Sequence, residues 1–549
     1  MGNRAAETER KYESAGGVTT PRPVLVGLPD VSGTRALDPV RLDAVYYDTA
    51  GLALAAHRVT LRRRTGGDDA GWHLKLPTSQ ADTRTEVRLP LGAGGTAGTG
   101  SGAGNASGSA DDGRPPSAAA AEDPPGELLA EIAALTRGRA LHPVVRLRTT
   151  RRRVLLLDHA DRTLAEIAYD KVTARTPDAE PTTWSETEVE LYEGDPALLD
   201  AVEERLTDAG LHRSASGSKL ARALGGGVAA AAPAAPDLPP TAGGTATAYL
   251  HDQLTAILAL DPAVRRAEED AVHRMRVATR RARSALKSFR KELDRAATDP
   301  VGDELKWLAA VLGTARDREV LIARLTRRLD ELDPSLVTGK LRSRLLDGDG
   351  ATGGTDTGTG TGTSTGTGTA GGSGQAGDAH AAAPAELDGA RYFALLDTFE
   401  ALLAAPPYTD AAAAPAAAAA QATVRRDHAR LRRGIHAAMA LPPGTDRDTA
   451  LHEARKDAKR ARYSSEAAQP VLGRPAAVHT SRMKSVQQLL GEHQDSVMCR
   501  TAVAGVRSTA ARAGEDTAPY DAVDRREREI AAAVEAELPA AWRDADQPV

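Results

Sequence analysis

The sequence contains a single cysteine, Cys499, which excludes a disulfide framework and any multi-cysteine zinc site. Aromatic residues make up only 3%, so packing must lean on Leu, Val and Ala, and surfaces for stacking bases are scarce. Neither sign of charge dominates: 70 Lys and Arg stand against 75 Asp and Glu, a net charge of −5. This balance excludes gripping nucleic acid by bulk charge but leaves local patches open. No window of about 18 apolar residues occurs, so nothing is expected to span a membrane. The start, MGNRAAETERKY, lacks the apolar core of a signal peptide, and a cytoplasmic, reducing location is the expectation.

Glycine is plentiful, at 51 of 549 residues, and much of it is concentrated in low-complexity stretches. Residues 92–125, 225–245, 348–384 and the Ala run 410–421 read as unstructured. The Ala run has helical composition but is expected to be interrupted by Pro415. The segment 225–245 separates halves of different character and is expected to be a flexible linker between domains at 5–224 and 246–545. The tract 348–384, with its Thr-Gly repeat, is expected to be a disordered insertion in the second domain.

Strand patterns dominate the first half, at 6–12, 44–48, 58–64, 71–76, 83–89, 144–157, 162–170 and 184–192. Helices are expected at 127–138 and 196–211, the latter ending at Gly210. Within the strands, charges recur at every second residue: Glu7, Glu9 and Lys11; Arg62 and Arg64; Arg84, Glu86 and Arg88; Arg146 and Arg148; Glu166 and Asp170; Glu186, Glu188 and Glu190; with Lys75 in WHLKLP. Alternation puts each set on one strand face, while Leu61, Val87, Leu89, Leu147, Val189 and Leu191 face the other way. One such triplet fits a solvated sheet face. The whole set, carrying both signs, fits a barrel with a polar interior and helices on its outside. Arg and Lys on that wall suit a polyanion, and clustered carboxylates suit Mg²⁺ or Mn²⁺, hard cations that prefer oxygen.

The order of ExExK, R-x-R, a Lys strand, R-x-E and a late ExE, with YYDT at 46–49 and SGSKLARAL at 216–224, resembles the CYTH domain, the triphosphate tunnel metalloenzymes. The resemblance implies an α+β domain around an antiparallel closed β-tunnel of about eight strands. It implies that Glu7, Glu9, Glu188 and Glu190 hold the metal, with Asp170 and Glu86 supporting the metal or its waters. Lys11, Arg62, Arg64, Lys75, Arg84, Arg148 and Lys219 would bind phosphate oxygens, and Lys11 and Glu86 are the candidates for direct catalytic roles. The run Arg151–Arg153 leaves open which arginine that strand contributes.

The second half reads as helical almost throughout and contains an internal duplication. His273-Arg-Met-Arg-Val-Ala-Thr-Arg-Arg-Ala-Arg matches His452-Glu-Ala-Arg-Lys-Asp-Ala-Lys-Arg-Ala-Arg, with basic residues at matched spacings. LGTARD at 312–317 matches LGEHQD at 490–495. The His and the basic residues three, seven and ten positions later fall on one helix face. A solvated basic face is the ordinary fate of such a run, but like charges at these spacings repel unless an anion joins them. The first stretch, followed by ELKWLAAVLGTARDREVL, resembles the CHAD domain, an all-α duplicated helical bundle often fused to CYTH. That resemblance implies binding of inorganic polyphosphate by His273, Arg276, Arg280, Arg281, Arg283, His452, Arg455, Lys456, Lys459, Arg460 and Arg462. Asp317 and Asp495 are expected to pair with arginines, and His273 and His452 to show no net pKa displacement.

Together these readings point to metal-dependent hydrolysis of triphosphate or short polyphosphate in the tunnel and polyphosphate binding by the helices. Polyphosphate granules are an implied location. A non-catalytic polyphosphate-binding or granule-targeting protein is the alternative. A nucleotide cyclase or thiamine triphosphatase would need a ring-recognition pocket, for which only Trp72 and Trp184 are candidates. Few aromatics lie near the basic stripes, which disfavours a nucleic-acid partner.

Overall fold

The computed structural model describes residues 3–14, 25, 27–78, 80–92, 122–177, 179–225, 240–346 and 385–547, without the side chains of 314–317, 319 and 339. The chain divides into two compact units, Met1–Ala235 and Pro236–Val549.

The first unit is built on strands β1 (Asn3–Ser14), β2 (Gly33–Ala36), β3 (Val40–Asp48), β4 (Thr60–Thr65), β5 (Gly71–Pro77), β6 (Thr83–Pro90), β7 (His142–Leu157), β8 (Thr163–Arg175), β9 (Thr182–Leu191) and β10 (Leu211–Arg213). Eight of them close into an antiparallel barrel in the order β1-β6-β5-β4-β3-β7-β8-β9, with β9 pairing back onto β1. The short strands β2 and β10 add to β7 and β1.

Pairing register decides which residues face inward. Glu7 pairs with Arg84, Lys75 with Glu86, Arg62 with His73 and with Tyr46, Lys11 with Glu188, and Arg151 with Asp170. The charged residues therefore line the interior. The alternate residues form the outer cores, which helices cover. Tyr47, Leu61, Trp72, Leu74, Val87 and Leu89 pack against Leu54 of α1 (Ala53–Ala56) and Leu128 and Ile132 of α2 (Gly126–Thr136). Tyr12, Ile167 and Val189 pack against Leu198, Leu199, Val202 and Leu206 of α3 (Pro196–Asp208).

One end of the interior is apolar. Ala44, Tyr46, Val145, Leu147, Val172, Ala174 and Trp184 gather there around Leu220 of α4 (Lys219–Leu224). Leu147 thus faces inward, so Arg146 and Arg148 face outward. Arg148 binds Asp43 at 3.3 Å and is 43% exposed, which corrects the expectation that it lines the tunnel. A slip of one residue inverts every side chain on a strand, and the inward arginines of β7 are Arg151, on the cleft wall, and Arg153, paired with Ala168 of that wall.

Local signals explain other boundaries. Gly210 adopts φ +87° just after α3, as a helix terminator does, but Leu211 already belongs to β10. Asp48 of the YYDT segment is a buried anchor: its carboxylate accepts the N–H groups of Thr49, Leu54 and Ala55 at 2.7–2.9 Å. The end of the 92–125 stretch packs back, with Arg63 donating to both Glu122 oxygens at 2.8 Å. Residues 93–121 lie outside the described residues.

The second unit is helical: α5 (Ala242–Arg265), α6 (Ala271–Ser288), α7 (Arg295–Asp330), α8 (Gly339–Leu346), α9 (Ala390–Ala404), α10 (Ala416–Ala440), α11 (Thr445–Leu472), α12 (Arg474–Arg512) and α13 (Ala518–Ala545). Packing follows the duplication. Helix α6 lies between α5 and α7, α11 lies between α10 and α12, and α6 packs on α11. Met275, Thr279 and Ala282 are buried at positions matching buried Ala454, Ala458 and Ala461. The basic stripes occupy the other sides of the same helices.

Two sequence expectations shift here. Helix α5 begins at Ala242, inside the expected linker, because Ala242, Gly243 and Gly244 are buried and Thr241 caps Gly244 N–H at 3.2 Å. The remainder of that linker, 226–239, lies outside the described residues, as does the 348–384 insertion. Pro415 starts α10 rather than interrupting it, and Ala416 and Ala420 are buried. Proline lacks only an N–H that a helix start leaves unpaired anyway.

Asp48→Ala leaves three buried N–H groups without their acceptor. It is expected to destabilise the first unit by about 2–3 kcal/mol in denaturant unfolding, while the second unit unfolds as in the wild type.

Candidate functional site

A cleft inside the barrel is lined by Glu7, Glu9, Lys11, Tyr46, Thr60, Arg62, Arg64, Asp69, Lys75, Arg84, Arg88, Arg151, Glu166, Ala168, Glu188, Glu190, Ser218 and Lys219. The structure brings ten of the expected site residues onto this wall: Glu7, Glu9, Lys11, Arg62, Arg64, Lys75, Arg84, Glu188, Glu190 and Lys219. Asp170 lies against it, fully buried, where Arg151 donates to its two oxygens at 2.9 and 2.7 Å. Glu86 lies behind the lining, 2% exposed, bonded to His73 at 2.9 Å and to Arg88. Burial alone would raise the Glu86 pKa, but His73, Lys75 and the two arginines outweigh it and hold the carboxyl well below the usual range. Glu86 is thus engaged by His73 and Arg88 and is not among the residues that line the cleft.

The wall places carboxylates opposite one another on adjacent strands: Glu9 faces Glu190, Glu166 faces Glu190, and Asp170 faces Glu186. Like charges paired across strands destabilise a sheet unless cations intervene. Lysines supply some of that charge. Lys75 meets Glu7 at 2.7 Å, and Lys11 meets Glu9 and Glu188 at 3.1 Å each. Burial pushes Glu9 up, but Lys11 and Lys75 bring it to about 2. Glu190 stays short of compensation: burial, with Glu7 and Glu9 nearby, pushes it up to about 7. Arginine charge is also crowded. Burial, then Arg62 and Arg151, lower Arg64 to about 9.

Asp170, Glu186 and Glu188 present oxygens within 4.8 Å of one another, all buried. An all-oxygen carboxylate set suits a hard divalent ion such as Mg²⁺ or Mn²⁺. Glu186 was not among the expected ligands. It is the third member of the ExExE alternation on β9, and only the pairing with Asp170 on β8 reveals its place. Arg151 likewise could not be chosen over its neighbours without the register.

In the second unit, the two stripes converge where α6 meets α11. Lys459 is the centre: burial, then Arg280, Arg455 and Arg276, lower its pKa to about 6, with Asp495 opposing them. The two arginines three residues beyond the repeated histidines lie against the repeated glycines. A Cβ on Gly313 would come within 3.0 Å of Arg276 Nη2, and one on Gly491 within 3.3 Å of Arg455 Nη2. The LG pairs of the duplicated motif therefore make room for the basic stripe. Asp495 lies 3.7 Å from Arg455, and the Asp317 side chain is outside the described residues.

The other stripe positions divide. His273 is exposed. His452 bonds Gln494 at 2.6 Å, and burial, then Lys456, push its pKa down, against the expectation of no displacement. Arg281 and Arg462 both bind Glu466 at 2.9 Å, and Lys456 points outward to Glu453 at 2.7 Å. Arg460 donates to the carbonyl of Lys287 at 2.7 Å, and Arg283 lies half-buried near Asp303. Intrinsic ion pairs thus hold Arg281, Arg462 and Lys456, and Arg280, Arg455 and Arg276 surround Lys459.

Family comparison matches residues 5–224 to the CYTH domain and residues 248–504 to the CHAD domain. The chain belongs to the CYTH and CHAD families. Two Mycobacterium tuberculosis proteins, uncharacterized protein MT2285 (strain CDC 1551 / Oshkosh) and uncharacterized protein Rv2226 (strain ATCC 25618 / H37Rv), are each 35% identical to it, over 100% of this chain and 97% of theirs. Among solved structures, PptA from Streptomyces chartreusis is similar at 23% identity and a TM-score of 0.43, over 55% of this chain and 99% of that one. The CYTH domain carries the family's triphosphate tunnel, in a family of metal-dependent phosphoryl-transfer and hydrolytic enzymes. No described helix is long and apolar enough to cross a membrane.

The outward position of Arg148 and the inward position of Arg151 yield a direct contrast. Arg151→Ala is expected to cut tripolyphosphate turnover at least about 100-fold, whereas Arg148→Ala stays within about twofold of wild type. Steady-state phosphate release by the two variants checks the register. In the CHAD domain, Gly491→Val should push Arg455 out of the cluster. Long-polyphosphate affinity is then expected to fall several-fold in a titration, with helical content by circular dichroism unchanged.

Proposed function

We propose that the CYTH tunnel hydrolyses inorganic triphosphate or short polyphosphate with Mg²⁺ or Mn²⁺, and that the CHAD domain binds longer polyphosphate. The observation that carries this reading is the wall itself: cations and carboxylates on all sides, with one ring, Tyr46, whose hydroxyl accepts from Arg62 at 3.2 Å. Neither tryptophan considered for stacking a base or thiazole faces the cleft. Trp72 packs on Tyr47 in the outer core with ring centroids 5.2 Å apart, and Trp184 is buried in the apolar end beneath Arg222. A chain of phosphates with no ring attached is the substrate that this chemistry fits.

Arg62, Arg64, Lys75, Arg84, Arg88 and Arg151 would hold the phosphate oxygens in register, and Asp170, Glu186 and Glu188 would hold the ion, with Glu7, Glu9 and Glu190 on the same wall. When bound, the ion supplies charge neutralisation at phosphate and a more acidic water. Hydrolysis joins a water oxygen to the terminal phosphorus and breaks its bond to the bridging oxygen, which leaves on diphosphate. The surrounding cations stabilise the charge on both fragments as it develops. Lys11, between Glu9 and Glu188, would keep those carboxylates oriented and offer a proton donor to a phosphate oxygen. On this reading the protein is cytoplasmic and held on polyphosphate granules by its CHAD domain.

Phosphate release from tripolyphosphate, ATP, thiamine triphosphate and long-chain polyphosphate, with Mg²⁺, Mn²⁺ or EDTA, tests the proposal. Tripolyphosphate is expected to turn over fastest and EDTA to abolish it. Binding of long polyphosphate without turnover of any substrate would leave the non-catalytic reading instead.

The crowding of Lys459 yields a second test. A lysine with a pKa of about 6 is mostly neutral at pH 7.5, and a polyanion beside it favours the charged form. Polyphosphate binding to the full chain should therefore take up close to one proton per site at pH 7.5, and the calorimetric enthalpy should vary with the ionisation enthalpy of the buffer. Lys459→Met should remove that dependence. A buffer-independent enthalpy in the wild type would place the anion elsewhere.

A further inference from the structure

Lys219 is the first residue of α4 and reaches back into the barrel. Its ammonium lies 3.0 Å from Asp170, 2.6 Å from Glu186 and 2.7 Å from Glu188, and its side chain is 8% exposed. These are the three carboxylates whose oxygens converge within 4.8 Å. Arg151 also donates to both Asp170 oxygens and to Glu188, but Lys219 reaches all three carboxylates, and its ammonium fills a position that a hard cation sharing them would take, since such ions need the same ligands at about 2.0–2.6 Å. Burial works against the charge on Lys219, but Glu186, Glu188 and Asp170 outweigh it and hold the amine protonated well beyond its ordinary range.

We propose that Lys219 is an exchangeable internal counter-cation. The divalent ion and the Lys219 ammonium compete for Asp170, Glu186 and Glu188, and the phosphate chain ends the competition by giving the displaced ammonium a new partner. This inference rests on the reading of the tunnel as a metal and polyphosphate site. The backbone of α4 is poorly placed to move. Leu220 is 1% exposed in the apolar end of the barrel, and Arg222 binds Glu13 and covers the Trp184 ring. Ser218 caps the helix by accepting Ala221 N–H at 3.0 Å, and the Gly217 carbonyl takes Arg84 at 2.6 Å. The exchange is therefore a swing of the side chain alone, which the four-carbon stem of lysine permits.

The destination of the swing explains why a phosphate chain is required. Lys219 would leave three carboxylates for a cleft already lined by Lys11, Arg64, Arg84 and Arg151. Without an anion that move sets a free ammonium among cations. With a phosphate chain in the cleft, the same move forms a charge-assisted bond. Ion and phosphate binding are then positively coupled, each favouring the other by the same factor. The ion would bind weakly on its own, and the carboxylate cluster would stay compensated between turnovers.

The test uses full-length protein and Mn²⁺ as the probe. In Mn²⁺ titrations followed by electron paramagnetic resonance, without phosphate, Lys219→Met is expected to bind at least about tenfold more tightly than wild type. Equal or weaker binding by a folded Lys219→Met overturns the proposal. A second measurement needs no variant: lysine acetylation of wild type, read by mass spectrometry. Lys219 should be protected in EDTA, become reactive at saturating Mn²⁺, and be protected again when non-hydrolysable imidotriphosphate is added. Unchanged Lys219 labelling at saturating Mn²⁺ also overturns it. Failure of the underlying reading looks different, because wild type would then show no Mn²⁺-dependent phosphate release from tripolyphosphate. Turnover with unchanged labelling and unchanged Mn²⁺ affinity defeats the counter-cation alone.

Discussion

Carboxylates that face one another across neighbouring strands, inside a closed barrel, set the terms for the whole first unit. Glu9 opposes Glu190, Glu166 opposes Glu190 and Asp170 opposes Glu186. In an open sheet such pairs would be relieved by water and salt. Inside the barrel they are relieved by cations brought to them, so that Lys11, Lys75, Arg151 and Lys219 all end on carboxylates, and at Glu190 by a raised pKa. The charged wall is costly to bury and is tolerated because the outer face supplies two apolar cores, one under α1 and α2 and one under α3. A third apolar cluster, around Leu220, fills one end of the interior and leaves the charged wall to the rest of it.

The CHAD domain reaches a related state by crowding cations. Helices α6 and α11 pack on one another, and their basic stripes come together around Lys459. Glu466 neutralises Arg281 and Arg462, and Asp427 lies 3.3 Å from Arg460. Burial, then Arg280, Arg455 and Arg276, lower the Lys459 pKa against the opposing effect of Asp495. On the proposed reading, this crowding of cations, held by packing elsewhere in the fold, is what gives the domain its affinity for a polyanion. In the tunnel, both signs are interleaved, which is what an ion-assisted reaction at phosphate requires.

Much of this was legible in the sequence because period-two charge alternation and a matched duplication are strong signals. The alternation of Glu7, Glu9 and Lys11, or of Arg62 and Arg64, survives into the structure as a shared inner face. Register was not legible. Arg146 and Arg148 alternate as cleanly as Arg62 and Arg64, yet Leu147 plugs the barrel end and sends both outward. Glu186 joins Asp170 only through the β8–β9 register, which the alternation within either strand does not set. Pro415 looked like a helix breaker because its place at the start of α10 depends on where the buried Ala416 and Ala420 pack. The glycines of the two LG motifs were visible as a repeat, but their purpose, clearance for Arg276 and Arg455, exists only in three dimensions.

On the proposed reading, the barrel interior holds a divalent ion and a phosphate chain together on this wall. Anomalous diffraction from a crystal grown with Mn²⁺ and imidotriphosphate measures it most directly. The account requires a manganese peak bonded to oxygens of Asp170, Glu186 or Glu188, with the phosphates against Arg62, Lys75, Arg84 and Arg151. A manganese ion outside the barrel, or imidotriphosphate bound with the tunnel arginines still on their carboxylates, would contradict it.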